Sequence, residues 1–348
     1  MLEVAVFAVG TLIAWLIVHQ TRRWAFPLRL VDLPNQRSMH SRATPRGGGA
    51  AIVVVCLLGI AVEAAFGTRP EWPAFAGYLA GAALVVAVSL FDDLRSLPSA
   101  VRLAVQVLAA ALMVAGLGSA LGSISQMGVT WLVLALGLVW TVGLTNAYNF
   151  MDGIDGLAAA QGIVAGLGWT VLASISRESW LSALGLLVAA GCLGFILHNW
   201  SPAKIFMGDV GSAFMGFTFA FMSLAALRRD PQVALVGTLM LWPFLFDSSF
   251  SLLRRATRRE NLFTAHRTHL YQRLVLAGWS HGSVTGLYTS ISLMILALGI
   301  AWLMAPGVAA SLLGVALILF SSLGLWLLVI RSERQASREA ANPRPNEA

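Results

Sequence analysis

The stretch Asn146–Ala160, NAYNFMDGIDGLAAA, lies between two apolar runs, Val129–Leu144 and Leu157–Ile175. It brings Asn149, Asp152 and Asp155 into a turn softened by Ala147, Gly153 and Gly156. The first run, extended to residue 147, and the second are each long enough to cross a bilayer as a helix. Carboxylates at the mouth of two such segments are costly and mark function more often than not. The reading that follows is two transmembrane helices meeting at a polar rim, and the rest of the chain repeats the pattern.

Hydrophobic residues make up 58% of the 348 and charged residues 11%, with a mean hydropathy of +0.78. Soluble domains carry about 25% charged residues, so the chain reads as all-α and polytopic. The apolar runs are continuous rather than alternating, which argues against a transmembrane β-barrel. About eleven spans are expected, at 2–19, 47–66, 76–91, 100–116, 129–147, 157–175, 180–198, 211–227, 232–253, 281–304 and 308–330. The opening run has neither a basic flank nor a clear small-residue cleavage site, and is taken as the first span rather than a signal peptide. Residues 1–330 then form one integral-membrane catalytic domain, and 331–348, polar and Pro-containing, a disordered cytoplasmic tail. Cys56 and Cys192 lie inside apolar runs and read as structural thiols.

The formal net charge of +7 would suit nucleic acid, but its distribution does not. With the N-terminus external, only Arg69, Arg177, Arg228 and Arg229 of the 23 Lys and Arg fall outside. That is the positive-inside bias, and it sets the N-terminus in the periplasm and the C-terminus in the cytoplasm.

Each acidic cluster then falls on the internal face. Asp92 and Asp93 end the third span, close to Arg95 and Arg102. Asn149, Asp152 and Asp155 follow one another at three-residue steps, an oxygen-rich stripe suited to Mg²⁺. Lys204 and Asp209 are the charges of SPAKIFMGDVGSAF, where a simple helix cap would need neither Lys204 nor the flanking Gly208 and Gly211. Two basic loops complete the face. One holds Arg37, His40, Arg42 and Arg46 before Gly47–Gly49; the other holds Arg254, Arg255, Arg258, Arg259, His266, Arg267, His269 and Arg273. Guanidinium and imidazole donors around carboxylates suit a polyphosphate, and a membrane-embedded site implies that one substrate is a lipid. A proton-coupled carrier is the rival, favoured by Asp247 within the ninth span, but it calls for internal repeats, and none is evident.

In combination and order, Asp92–Asp93, NAYNFMDGIDGLA, KIFMGDVGS and HRTHLYQRL resemble the polyprenyl-phosphate N-acetylhexosamine-1-phosphate transferase family. The resemblance runs from Asp32 to Arg273. It implies ten or eleven helices around a cytoplasmic cleft, where a sugar-1-phosphate passes from a UDP-N-acetylhexosamine to undecaprenyl phosphate and UMP is released. By the same resemblance, Asn149 and Asp209 hold Mg²⁺ on the diphosphate, with Mn²⁺ an acceptable substitute. Phe206 lies beside the uracil, Asp155 at the nucleoside end, and Asp92 and Asp93 near the acceptor phosphate. Asp152 is a further catalytic carboxylate, Lys204 a substrate contact, and Arg42 lies near a basic position of the first loop. The pattern His266-x-x-His269-x-Tyr271-Gln272-Arg273 is similar to the branch that begins O-antigen and related surface glycans. It makes the two histidines and Arg273 contacts of sugar and phosphate. N-acetylglucosamine, N-acetylfucosamine and N-acetylquinovosamine are the candidate sugars. The location implied is the bacterial inner membrane, and a homodimer is left open.

Overall fold

The computed structural model describes residues 1–27, 30–34, 39, 42–66, 71–119, 127–261, 264 and 266–341. Arg37, His40, Arg69 and the last seven residues lie outside them. The elements are α1 (Leu2–Trp24), β1 (Val31–Asp32), β2 (Thr44–Pro45), α2 (Ala50–Phe66), α3 (Trp72–Arg95), α4 (Ser99–Ser119) and α5 (Met127–Phe150). They continue with α6 (Leu157–Ile175), α7 (Ser179–Asn199), α8 (Asp209–Leu227), α9 (Pro231–Leu239), α10 (Trp242–Thr257), α11 (Leu270–Leu276), α12 (His281–Met304) and α13 (Val308–Ala341). The two short strands pair antiparallel in the loop between α1 and α2, and the other described elements are helices.

Helix α8 is the axis of the bundle. Between Val210 and Ala226 nearly every side chain is buried, and α2, α3, α5, α6 and α9 pack around it. Lipid tails supply no hydrophobic drive between helices, so close backbone approach has to come from small residues. Gly166 and Gly185 show this between α6 and α7: a Cβ added at Gly166 would stand 2.7 Å from the Gly185 carbonyl oxygen. By contrast α1 and α13 leave most of their apolar residues on the outside, where lipid would cover them.

Among the described residues, nine helices are long and apolar enough to cross a membrane, or ten if one bent pair counts as a span. This revises the expected eleven. The run expected at 47–66 becomes a helix of 17 residues, because Gly47–Gly49 are drawn into the loop before it. At 1.5 Å per residue it reaches about 26 Å, short of a hydrocarbon core of about 30 Å. The run expected at 232–253 breaks by 65° between α9 and α10. Pro243 has no N–H to give the preceding turn, the Phe244 N–H turns to the Leu241 carbonyl, and the Met240 carbonyl left over accepts from Gln161 Nε2 at 3.1 Å. The tail expected to be disordered from residue 331 instead continues α13 to Ala341. Glu333 and Ser332, on this extension, bond Arg273 and the Trp279 indole N–H.

Candidate active site

The acids flagged in sequence gather at one end of the bundle, around the start of α8. Asp93 is only 3% exposed and accepts from the backbone N–H groups of Asp209 (3.2 Å) and Val210 (3.3 Å). It caps α8 from another helix, satisfying two donors the helix cannot satisfy itself. The approach needs Gly208: its φ is +77°, and a Cβ there would fall 2.7 Å from Asp93 Oδ2. Arg46 Nη1 stands 3.8 Å from Asp93, while Arg46 Nε is buried without a hydrogen-bond partner among the described residues.

Asp92 faces the other way. A single nitrogen, Arg102 Nη1, lies 3.0 Å from both Asp92 Oδ2 and Asp209 Oδ2, so one guanidinium of α4 ties the end of α3 to the start of α8. Asn149 joins Asp209 through a side-chain hydrogen bond and accepts from Ser212 Oγ at 2.9 Å. Asp152 lies within the same field. Burial, and then the charges of Asp209, Asp93 and Asp155, push its carboxyl well above the usual carboxylate range.

Asp92 and Asp209 thus share Arg102, Asp93 faces Arg46, and Asp152 lies in the same field, so acids outnumber guanidiniums here. Among the described residues no three His, Cys, Asp or Glu side chains form a ready metal cage. Hard oxygens in small number, with acids in excess, fit Mg²⁺, which keeps several waters and substrate phosphates as ligands. Asn149 and Asp209 are the residues that would hold it.

The loop before α8, which carries Lys204 and Phe206, is fastened to the first loop and to the Asp155 turn. The Phe206 N–H donates to the Pro45 carbonyl (2.8 Å) and its own carbonyl accepts from Gly48 N–H (3.0 Å), pinning the loop to the glycine run. Lys204 is exposed at the rim, held through its backbone N–H to the His198 carbonyl. Asn199 bridges the Gly156 N–H and the Ile205 carbonyl, locking the Asp155 turn to the same loop. Burial would raise the Asp155 carboxyl, but hydrogen bonds from His281 and the Ala203 N–H, with the His281 charge, outweigh it and hold it below its ordinary range.

The last internal loop is more deeply embedded than its sequence suggests. His269 is 2% exposed, and its Nδ1 lies 3.3 Å from Asp247, itself fully buried. Asp247 also accepts from Leu270 N–H, Tyr271 N–H, Tyr288 OH and Ser251 Oγ, and so caps α11 as Asp93 caps α8. The Tyr271 hydroxyl donates to the Phe150 carbonyl at 2.9 Å, which latches α11 to the end of α5. His266 stacks on His269 with ring centroids 4.9 Å apart. Burial, the neighbouring His269 and Arg255 lower its pKa to about 4, so it is a neutral ring.

The structure therefore joins Asp92, Asp93, Asn149, Asp152 and Asp209, and sets Asp155 and Phe206 beside them on linked loops. Two expected contacts stand apart. Arg42 is exposed, and Arg46 is the first-loop arginine that meets an acid. Arg273 forms two 2.7 Å bonds to Glu333 on α13, a tether between helices. Sequence reasoning set Arg102 near Asp92 and Asp93 and Arg46 in the first basic loop without assigning either to an acid. It singled out Asp247 as a lone acid inside an apolar run but not as a cap, and it missed His281 altogether.

An all-α membrane bundle with acids and arginines converging on one cleft defines an integral-membrane enzyme class that works on anionic substrates. Residues 75–227 match the family model described as Glycosyl transferase family 4. The chain is 30% identical over 314 residues, 86% of each chain, to a probable undecaprenyl-phosphate N-acetylglucosaminyl 1-phosphate transferase of Bacillus subtilis. It is 31% identical to the decaprenyl-phosphate N-acetylglucosaminephosphotransferase of Mycobacterium tuberculosis over 79% of this chain and 76% of that one. It is 28% identical to a phospho-N-acetylmuramoyl-pentapeptide-transferase of Synechococcus over 84% of this chain and 89% of that one. The chain belongs to the family of polyprenyl-phosphate N-acetylhexosamine-1-phosphate transferases and their phospho-N-acetylmuramoyl-pentapeptide relatives.

Proposed function

We propose that this protein transfers an N-acetylhexosamine 1-phosphate from its UDP-sugar to undecaprenyl phosphate, releasing UMP. This is the first membrane step of a bacterial cell-surface glycan such as O-antigen. The observation that carries the reading is a cluster of four acids at one end of a membrane bundle, Asp92 and Asp209 bridged by Arg102, Asp93 faced by Arg46, and Asp152 in their field. The names of the relatives support N-acetylglucosamine as the first sugar to test.

A lipid-phosphate oxygen attacks the β-phosphorus of the UDP-sugar. The new P–O bond forms as the bond to the bridging oxygen breaks, and UMP departs with that oxygen. The acceptor phosphate has a second pKa near 6, so it is mostly dianionic at neutral pH and needs little help from a base. Catalysis then rests on alignment and on preorganised charge. Asp92, on the cleft side of the pair, orients the acceptor. Arg102 is placed to leave Asp209 for a phosphate oxygen, and Arg46 Nε is an unused donor for another. Mg²⁺ held by Asn149 and Asp209 would neutralise the diphosphate charge. Phe206 and Asp155 receive the nucleoside end.

The cleft opens to the cytoplasm of the inner membrane, with the N-terminus periplasmic and the C-terminus cytoplasmic. The retention of basic residues at that end supports this orientation. The test uses purified protein in detergent with undecaprenyl phosphate, Mg²⁺ and a panel of UDP-N-acetylhexosamines, reading UMP. One sugar nucleotide should give acceptor-dependent UMP release that EDTA abolishes. Release indifferent to the lipid would overturn the reading.

A further inference from the structure

Helix α12 turns one polar row toward the rest of the protein. His281, Thr285, Tyr288 and Ser292 follow at steps of four, three and four, which places them on one helix face. Tyr288 bonds Asp247 and Ser292 bonds Gln161, both deep in the core. The first two rungs act on a single cleft residue, Asp155. His281 Nδ1 lies 3.2 Å from Asp155 Oδ2 and 3.3 Å from the Asp155 backbone nitrogen, and Thr285 Oγ1 donates to the Asp155 carbonyl at 3.3 Å. The Ala203 N–H adds a bond to Oδ2 at 3.1 Å.

One ring nitrogen cannot donate to the carboxylate and accept from the amide at the same time. A ring carrying a proton on Nδ1 donates to Oδ2; the other tautomer accepts from the Asp155 N–H. Asp155 is tethered in either form. The His281 and Ala203 bonds both fall on Oδ2, and the Ser201 side chain bonds the same carboxylate. A carboxylate accepts at about four sites, so Asp155 keeps capacity for one more donor from outside the protein. The Trp200 ring fills the space between the Asp155 turn and the start of α12. Added Cβ atoms at Gly156 and Gly282 would lie 3.2 and 3.7 Å from it.

We propose that His281 is a positioning residue that aims the Asp155 carboxylate at the nucleoside end of the sugar nucleotide. The inference rests on the transferase reading above. Plain helix packing at this position would be satisfied by any side chain of suitable size. Positioning requires a polar atom where Nδ1 now stands, which the amide of Asn can supply and Ala cannot.

The experiment compares wild type, His281→Ala and His281→Asn as full-length protein in detergent. It reads UMP binding by calorimetry and steady-state UMP release with undecaprenyl phosphate. UMP is the product common to every UDP-sugar, so binding can be read before the sugar is known. His281→Ala should weaken UMP and raise KM for the sugar nucleotide about 10-fold, the scale of one hydrogen bond to a charged group. Its kcat should stay within about 3-fold and KM for the lipid should not move, while His281→Asn should recover UMP binding to within about 3-fold. If His281→Ala does not fold, His281→Asn decides alone: a folded Asn variant that binds UMP at least about 10-fold more weakly overturns the proposal. Unchanged UMP binding in His281→Ala also overturns it, and leaves the transferase reading standing. A wild-type protein that binds no UMP overturns both.

Discussion

Asp247 and Asp209 are both acids on helices at the same end of the bundle, but the protein supplies them with donors very differently. Asp247 is wholly buried and takes two backbone N–H groups, two hydroxyls and a histidine nitrogen. Asp209 shares a single arginine nitrogen with Asp92 and has two further carboxylates in its field. A carboxylate with every lone pair occupied has no capacity left for a ligand and serves to hold the chain. One left short of donors and close to like charges is a place for a cation. The contrast separates structural acids from chemical ones without reference to their depth, and Asp93 belongs with Asp247 in this respect.

Breaking the chemical side should cost most. Asp209→Asn removes one hard-cation ligand charge and should cut UMP release by at least about 10²-fold, and Asn149→Ala should act the same way. Asp209→Asn should keep the wild-type thermal midpoint or exceed it, because it relieves crowding of charge, whereas Asn149→Ala loses its bonds to Asp209 and Ser212 and should lower the midpoint slightly. Normal turnover with unchanged Mg²⁺ dependence would remove either residue from the site. Asp247→Asn should behave in the opposite sense. Its amide would set N–H groups against the N–H donors that now converge there, at about 2–4 kcal/mol. A fall in the thermal midpoint of several degrees, larger than any in the Asp209 variant, is the outcome to look for.

The neighbouring pair sharpens the same contrast at adjacent positions. Asp93→Asn keeps one acceptor but puts an NH₂ near the α8 terminus, so it should lose about 1–2 kcal/mol of stability as a damaged cap. Asp92→Asn loses the Arg102 pair but can keep the Leu97 N–H on its amide oxygen, so it should lose less stability than Asp93→Asn. It should lower the rate most at low pH, with partial recovery toward pH 9 as the lipid dianion forms unaided. Equal thermal shifts in the two variants would erase the distinction drawn from Asp93's two backbone bonds.

Much of this was legible in the chain because membrane helices satisfy their own backbone. A continuous apolar run therefore declares its helix, and nine of the eleven expected runs are helical from end to end, those at 47–66 and 232–253 excepted. The acids announced themselves because they stand where apolar residues are expected. What sequence did not reveal depends on pairing across long separations. That Asp93 would cap a helix more than a hundred residues later, or that His281 would meet Asp155, has no local pattern to betray it. Choosing between Arg42 and Arg46 is a matter of where a short strand pair turns the loop. The helical extension past residue 330 is invisible for the same reason, since the polar stretch 331–341 is anchored by Arg273 and Trp279 from elsewhere.

The smallest expected effect concerns His266, and it tests whether the histidine loop belongs to the structural or the chemical side. With its pKa lowered to about 4, His266 is neutral across the range in which an ordinary histidine of pKa about 6.5 takes up a proton. Between those values the unfolded chain binds more protons than the folded one, so stability contributed at this position rises with pH through that window and is level above it. His266→Gln removes the titration but keeps an amide that can hold a sugar or phosphate oxygen. The variant should therefore gain slightly on wild type in thermal midpoint as pH falls from 7 to about 5, and match it above 7. Its rate should drop no more than about 10-fold, with a pH–rate profile of unchanged shape between about 5.5 and 8, since no charge on His266 changes there. A wild-type limb near pH 6.5 that vanishes in His266→Gln would show that the ring titrates during turnover. His266 would then stand with Asp209 on the chemical side, while His269, fixed against Asp247, remained on the structural one.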